Sequence, residues 1–104
     1  MVLAVDFDHT IQDNDHPVPG RRMGPPMPGA KEAMERLHRL GHQVIIHSCN
    51  RSKVIADWMQ YYQIPYHSIW DQPGKPVADR YIDDKGLHFE SWEQTLRELE
   101  AWNE

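Results

Sequence analysis

The chain has 104 residues, enough for one small domain over residues 1–104 whose core can fold alone with little to spare. Hydrophobic residues at 39% and charged residues at 26% are the proportions of a soluble globular protein. The formal net charge of -5 argues against a domain that grips nucleic acid mainly through its phosphates, because such domains are usually basic. A single cysteine, Cys49, excludes an internal disulfide and fits a reducing cytoplasm. No stretch approaches the length of a membrane-spanning helix, and the start MVLAVDFD lacks the basic-then-apolar pattern of a signal peptide.

Val2-Leu3-Ala4-Val5 is a short continuous apolar run, as expected of a central strand buried on both faces of a parallel sheet. Residues 15–29 are rich in Pro and Gly and read as a loop. Pro28 suits the first turn of a helix carrying Ala30, Ala33, Met34, Leu37 and Leu40 on one stripe, with Gly41 as the cap beyond its end. Gln43-Val44-Ile45-Ile46-His47 is a second buried-type strand. Ser52 is the expected cap of a second helix with Ile55, Trp58, Met59 and Tyr62 as its apolar stripe. Residues 66–70 and 79–82 read as the third and fourth strands. Ser91 with Gln94 forms a capping box opening a last helix packed by Leu96, Leu99 and Trp102. This alternation implies right-handed crossovers and an α/β fold, a parallel sheet with helices on both faces. The expected strand order is 3-2-1-4.

The polar residues collect at strand ends. Asp6 and Asp8 follow the first strand, Ser48 the second, and Asp83 and Asp84 the fourth. In an open parallel sheet those carboxyl ends face the ligand crevice where strand order reverses. The four carboxylates Asp6, Asp8, Asp83 and Asp84 would converge there and repel one another. A hard divalent cation such as Mg²⁺ resolves that conflict and also takes phosphate oxygens.

On these residues the chain resembles the haloacid dehalogenase-like (HAD) superfamily. Val2-Leu3-Ala4-Val5-Asp6-Phe7-Asp8-His9-Thr10 is similar to its first motif, an apolar strand followed by Asp-x-Asp-x-Thr. Val44-Ile45-Ile46-His47-Ser48 resembles the second motif, Lys75 in Gly74-Lys75-Pro76 is placed like the third-motif lysine, and Tyr81-Ile82-Asp83-Asp84 resembles the acidic fourth motif. All of them occur in order along nearly the whole chain. The resemblance implies a three-layer Rossmann-like fold and a Mg²⁺-dependent phosphomonoester hydrolase working through an aspartyl-phosphate. Asp6 would be the nucleophile. Asp8 would protonate the leaving oxygen and then activate water; family members that transfer phosphoryl groups carry an acid there. Ser48 would donate to a phosphate oxygen, and Lys75 would offset charge on the phosphoryl group and Asp6. Asp84, helped by Asp83, would hold Mg²⁺ with the Asp6 carboxylate and the Asp8 carbonyl. His9, Thr10, Asn50 and Arg51 are the candidate substrate contacts. His9 stands where many relatives have Gly, so it either touches substrate or occupies a backbone conformation that His tolerates. Whether Asn50 or Arg51 meets phosphate stays open. No cap domain is expected, because neither 11–29 nor 49–74 is long enough for a second core.

Each feature has a blander reading. Asp-x-Asp alone is usually a solvated loop, and Pro-Gly-Lys-Pro is an ordinary surface turn; only the set gives them weight. The seven histidines lack a zinc-ligand spacing, and His38 and His42 read as structural or solvated. Cys49 has no evident base beside it. Arg21 and Arg22 read equally as a solvated loop tip or as greeting an anionic substrate. Trp58, Trp92 and Trp102 read as core; Trp70 reads as packing, with the crevice rim as its other place. An open site would admit a large phosphorylated substrate, a phosphoprotein or a nucleic-acid end, so nucleic acid enters only as substrate; a homodimer could close the cleft. The alternative function is a non-catalytic metal- or phosphate-binding module on the same fold. A receiver-type phosphoacceptor domain would carry its acidic pair early in the chain and its phosphorylated Asp on a middle strand, the reverse of the order here.

Overall fold

The structure, a computed structural model, describes residues 1–16, 18–21, 23–48, 51–83, 87–88 and 90–102. Among them the chain runs β1 (Val2–Asp6), α1 (Ala30–Arg39), β2 (Gln43–His47), α2 (Ser52–Tyr62), β3 (Ser68–Trp70), β4 (Arg80–Asp83), β5 (Leu87–His88) and α3 (Trp92–Trp102). The sheet order is β3-β2-β1-β4-β5 and every pairing is parallel. The expected order 3-2-1-4 is the one observed. The short strand β5 carries no signal that a sequence pattern could read, because two residues have no periodicity.

Side chains alternate between the two faces of a strand, and this divides the sheet sharply. Leu3 and Val5 of β1, Val44 and Ile46 of β2 and Ile82 of β4 join one apolar cluster. The same cluster takes Ala33, Met34 and Leu37 from α1, Ile55, Trp58 and Met59 from α2, and Trp92 and Leu99 from α3. Helix α1 lies between the other two. It shares a groove with Ala56, Met59 and Gln60 of α2 and reaches α3 through the Arg36–Glu100 ion pair. The opposite face carries Ala4, in register with Ile45 on one side and Tyr81 on the other. Residues 71–79 cross over that face; Pro76 is buried and its carbonyl accepts a 2.7 Å hydrogen bond from the Tyr81 hydroxyl.

The fold is a three-layer, Rossmann-like α/β arrangement, and the described residues hold no cap domain. The third layer is irregular chain, where the sequence reading puts helices on both faces. The reason lies in the handedness of the connections. The crossovers β1–α1–β2 and β2–α2–β3 step the same way across the sheet, so right-handed winding lays both helices on one face. The return from β3 to β4 must then cover the other face, and its stretch 71–79, interrupted by Pro73, Gly74 and Pro76, holds no helix.

Gly41 closes the first helix as expected, and the other end signals differ in part from the expectation. Gly29 (φ 79°) and Gly41 (φ 86°) bracket α1 in left-handed conformations open to glycine. Pro28 therefore precedes the helix instead of entering its first turn, and Leu40 beyond its end is 57% exposed. Ser52 begins α2 but does not cap it; Arg51 holds the cap position without a side-chain bond. At α3 the Ser91 hydroxyl accepts from the Gln94 amide at 3.2 Å, while the Gln94 side chain turns to Glu98, so half of the capping box forms.

His42 is buried at 6% exposure, with the Met1 amino group donating to Nδ1 at 3.0 Å. Burial lowers its pKa below the ordinary 6.5, the nearby amino charge adds to the drop, and interaction with the Met1 backbone opposes it. The native state thus refuses a proton that the unfolded chain accepts, and stability contributed by neutral His42 is lost as pH falls from 6.5 toward the lowered native value. Chemical denaturation from pH 7.5 downward should show a steeper loss of stability in the unaltered protein than in His42→Gln; equal slopes would remove His42 from the pH dependence.

Candidate functional site

The site starts with register. Asp6 pairs with His47 across β1 and β2, and His47 pairs with Trp70 across β2 and β3. Ile82 pairs with Val5, so Asp83 continues the row beyond Asp6. Asp83, Asp6, His47 and Trp70 therefore form one row at the carboxyl end of the sheet, on the face away from the helices. The loop after β1 adds Asp8 and His9, the end of β2 adds Ser48, the start of α2 adds Arg51 and Ser52, and the crossover adds Lys75. All of these line one cleft of about 730 Å³.

Seven sequence-selected residues, Asp6, Asp8, His9, Ser48, Arg51, Lys75 and Asp83, are thus brought to one place. Asn50 and Asp84, and with them Arg22, Cys49 and the side chain of Trp102, lie outside the described residues. Thr10 does not line the cleft: it is 3% exposed, and its carbonyl accepts the Trp92 indole N–H at 3.0 Å. Arg21 lies with its guanidinium 3.9 Å from the centre of the Tyr61 ring, away from the cleft wall. Trp70 stands on the cleft, the second of its two sequence readings.

The Asp8 carboxylate accepts hydrogen bonds from three side chains among the described residues. Its Oδ1 accepts from Gln12 Nε2 at 3.3 Å and Asn14 Nδ2 at 3.1 Å, and its Oδ2 accepts from the Ser48 hydroxyl at 2.9 Å. Asn14 also accepts the His9 backbone N–H at 3.0 Å, where His9 sits at φ 61°. The backbone reading of His9 holds, since it takes a conformation that His tolerates, and the residue also lines the cleft. Gln12 is 3% exposed, and its carbonyl oxygen accepts the Gly24 N–H at 2.7 Å. A Cβ on Gly24 would collide with the Asp13 carbonyl, so only glycine fits where the loop doubles back. The Trp58 indole donates to the Gly24 carbonyl at 3.0 Å and its ring meets Phe7 edge-on at 5.0 Å.

Across the cleft, Lys75 Nζ donates to Asp83 Oδ2 at 3.1 Å. The Asp83 side chain is 8% exposed, so its charge needs that partner. His47 Nε2 lies 3.9 Å from the same oxygen, too far for a hydrogen bond, and is buried with no hydrogen-bond partner among the described residues. Burial lowers the His47 pKa; Asp83 works against the drop and Lys75 adds to it.

No family model matches the chain, and no curated protein does either. A solved structure is similar: that of a conserved protein from Bacteroides thetaiotaomicron, with a TM-score of 0.77 and 25% identity over 97% of this chain and 90% of that one. The likeness supports the fold along nearly its full length, and the name of that protein carries no activity.

Gln12, Asn14 and His47 were not singled out in the sequence. Gln12 and Asn14 sit in an irregular loop, and only the folded turn points them at Asp8. His47 reads as the last residue of a strand, yet its place beside Asp6 was a signal available once the parallel register was drawn.

Replacing Gln12 by Leu removes a donor from Asp8 and leaves the Gly24 N–H buried without its acceptor. An unsatisfied buried donor costs about 1–3 kcal/mol. Urea denaturation of Gln12→Leu should show a loss in that range; an unchanged midpoint would mean that water replaces the side chain.

Proposed function

We propose that this protein is a Mg²⁺-dependent phosphomonoester hydrolase of the haloacid dehalogenase-like type, acting through an aspartyl-phosphate on Asp6. The observation that carries the reading is the meeting of Asp6, Asp8, Ser48, Lys75 and Asp83 around one open cleft. These residues come from β1, β4 and the loops that follow β1, β2 and β3, and surface carboxylates scattered by chance would not gather so.

Among the described residues no group of three or more His, Cys, Asp and Glu is arranged to hold a metal. The donor chemistry fits a hard cation all the same: the Asp6 and Asp83 carboxylates line the cleft beside Asp8, every donor is an oxygen, and Asp84 follows Asp83 directly in sequence. Asp6, the Asp8 carbonyl and Asp84, with Asp83 in support, would hold Mg²⁺, which when bound would neutralise charge between carboxylates and phosphate.

The chain's own groups divide the rest. An Asp6 oxygen attacks phosphorus while the bond to the leaving oxygen breaks, and Asp8 gives that oxygen a proton. Asp8, now a carboxylate, takes a proton from water as the water attacks phosphorus and releases Asp6. Ser48 exchanges its bond to Asp8 for one to a phosphoryl oxygen. Lys75 and Arg51 supply positive charge, which suits a reaction that is mostly positioning and charge stabilisation. The open cleft suits a large phosphorylated substrate, a phosphoprotein or a nucleic-acid end. No described helix is long and apolar enough to cross a membrane, and a cytoplasmic setting agrees with the single cysteine.

Asp6→Asn should abolish hydrolysis. Asp8→Asn should slow alkyl phosphates by about a hundredfold to ten-thousandfold in the first step, the usual worth of general acid–base help. An activated ester such as p-nitrophenyl phosphate should keep its first step and give a burst, with phosphate trapped on Asp6 and read by mass spectrometry of quenched protein. Equal losses on both esters without trapped phosphate would overturn the two-step scheme. Chelation should remove activity and Mg²⁺ restore it; activity surviving thorough chelation would overturn the metal assignment. An unmutated protein that hydrolyses no phosphomonoester but binds phosphate would favour the binding-module reading.

A further inference from the structure

Lys75 is a cation with a specific partner, carried by a stretch without helix or strand. Residues 71–75 are exposed, Gly74 takes a left-handed conformation (φ 79°), and 51% of the Lys75 side chain faces solvent. Such a segment has little local stability, and a lysine stem has several rotatable bonds to order. Something has to fix the backbone from which the amine reaches Asp83.

We propose that Trp70 and Tyr81 form an aromatic brace that positions Lys75. The carbonyls on either side of Lys75 are each taken by an aromatic donor. The Trp70 indole N–H donates to the Gly74 carbonyl at 2.9 Å, and the Tyr81 hydroxyl donates to the Pro76 carbonyl at 2.7 Å. The Tyr81 ring also lies 5.5 Å from Lys75 Nζ, within the range of a cation–π attraction. Trp70 ends β3 and Tyr81 lies in β4, the two strands that the crossover joins. They are three strand spacings apart, about 14 Å. The brace thus holds the crossover at both margins of the β2–β1 pair, and both residues stand on the face away from the helices. It does for Lys75 what a helix would do in that layer: it fixes the backbone and satisfies carbonyls that a loop leaves to water.

The position of Lys75 follows from these contacts alone; its effect on hydrolysis rests on the function proposed above. The test uses Tyr81→Phe and Trp70→Phe, which keep a ring and delete the donor. The first readout needs no activity. Each protein is acetylated with an amine-reactive ester, and per-lysine rates are followed by mass spectrometry, with Lys31 and Lys53 as internal references. Both variants should acetylate Lys75 about threefold to tenfold faster, the range that the loss of one hydrogen bond corresponds to. Trp58→Phe, which deletes an indole–carbonyl bond elsewhere, should leave the Lys75 rate unchanged. The second readout is hydrolysis. In each brace variant kcat should fall by a similar factor with a smaller change in KM, and in a Lys75→Met background neither should cost anything more. Unchanged Lys75 labelling in both variants, or equal acceleration in Trp58→Phe, overturns the brace. A further fall in kcat on top of Lys75→Met also overturns it, since the residues would then act through something other than Lys75. Faster Lys75 labelling in a protein that hydrolyses no ester supports the brace and sinks the phosphatase reading instead.

Discussion

Asp83 is a carboxylate with almost its whole side chain out of water, and Lys75 is a partner that helps to make this tolerable. An uncompensated buried charge costs several kcal/mol, a large share of what a domain of this size has to spend. Much of the architecture can be read as a consequence. Lys75 must reach the end of β4 from outside the sheet, and it does so from a segment that crosses the face the helices leave bare. A helix on that face would present a regular surface; the irregular chain at 71–79 bends to the carboxylate instead.

The one-sided placement of helices has a functional corollary. A parallel sheet is normally covered on both faces, and here the second cover is thin. Ala4 is fully buried there, but its neighbours Ile45 and Tyr81 are only partly so. The row Asp83–Asp6–His47–Trp70 emerges from beneath that thin layer to line the cleft, with Asp83 still buried and the other three partly exposed. Openness of the cleft is therefore a property of the connections in the sheet as much as of a missing cap.

The core elements were legible because buried strands and amphipathic helices write themselves into composition. Leu3, Val5, Val44, Ile46, Met34, Leu37, Ile55 and Met59 were found by apolar runs and helical spacing, and each is buried. The site was legible for a different reason: strand ends put Asp6, Ser48 and Asp83 together whatever the loops do. What escaped were residues whose role is created by a fold-back. Gln12 is polar and buried, a combination no periodicity marks, and it meets Asp8 only because Gly24 lets the loop return. Leu40 failed the other way, continuing an apolar stripe past the residue where the helix stops. Trp70 and Tyr81 look like ordinary strand aromatics until the crossover is laid between them.

The two walls of the cleft differ in how freely they can rearrange. On the Asp8 side, Oδ1 is held by Gln12 and Asn14, and that loop is pinned by two indoles, Trp58 on the Gly24 carbonyl and Trp92 on the Thr10 carbonyl. Moving this wall means breaking the two buried indole bonds, each of which leaves an unsatisfied carbonyl and N–H. Ser48 differs in kind: its hydroxyl both donates and accepts, so it can exchange Oδ2 for another partner by rotating. The exchangeable contact therefore faces the space a ligand would enter, and the fixed ones lie behind it. On the Lys75 side the order is reversed. The amine is flexible and half-exposed, and its constraint comes from the backbone on either side of it. One wall is rigid at its side chain and the other at its main chain.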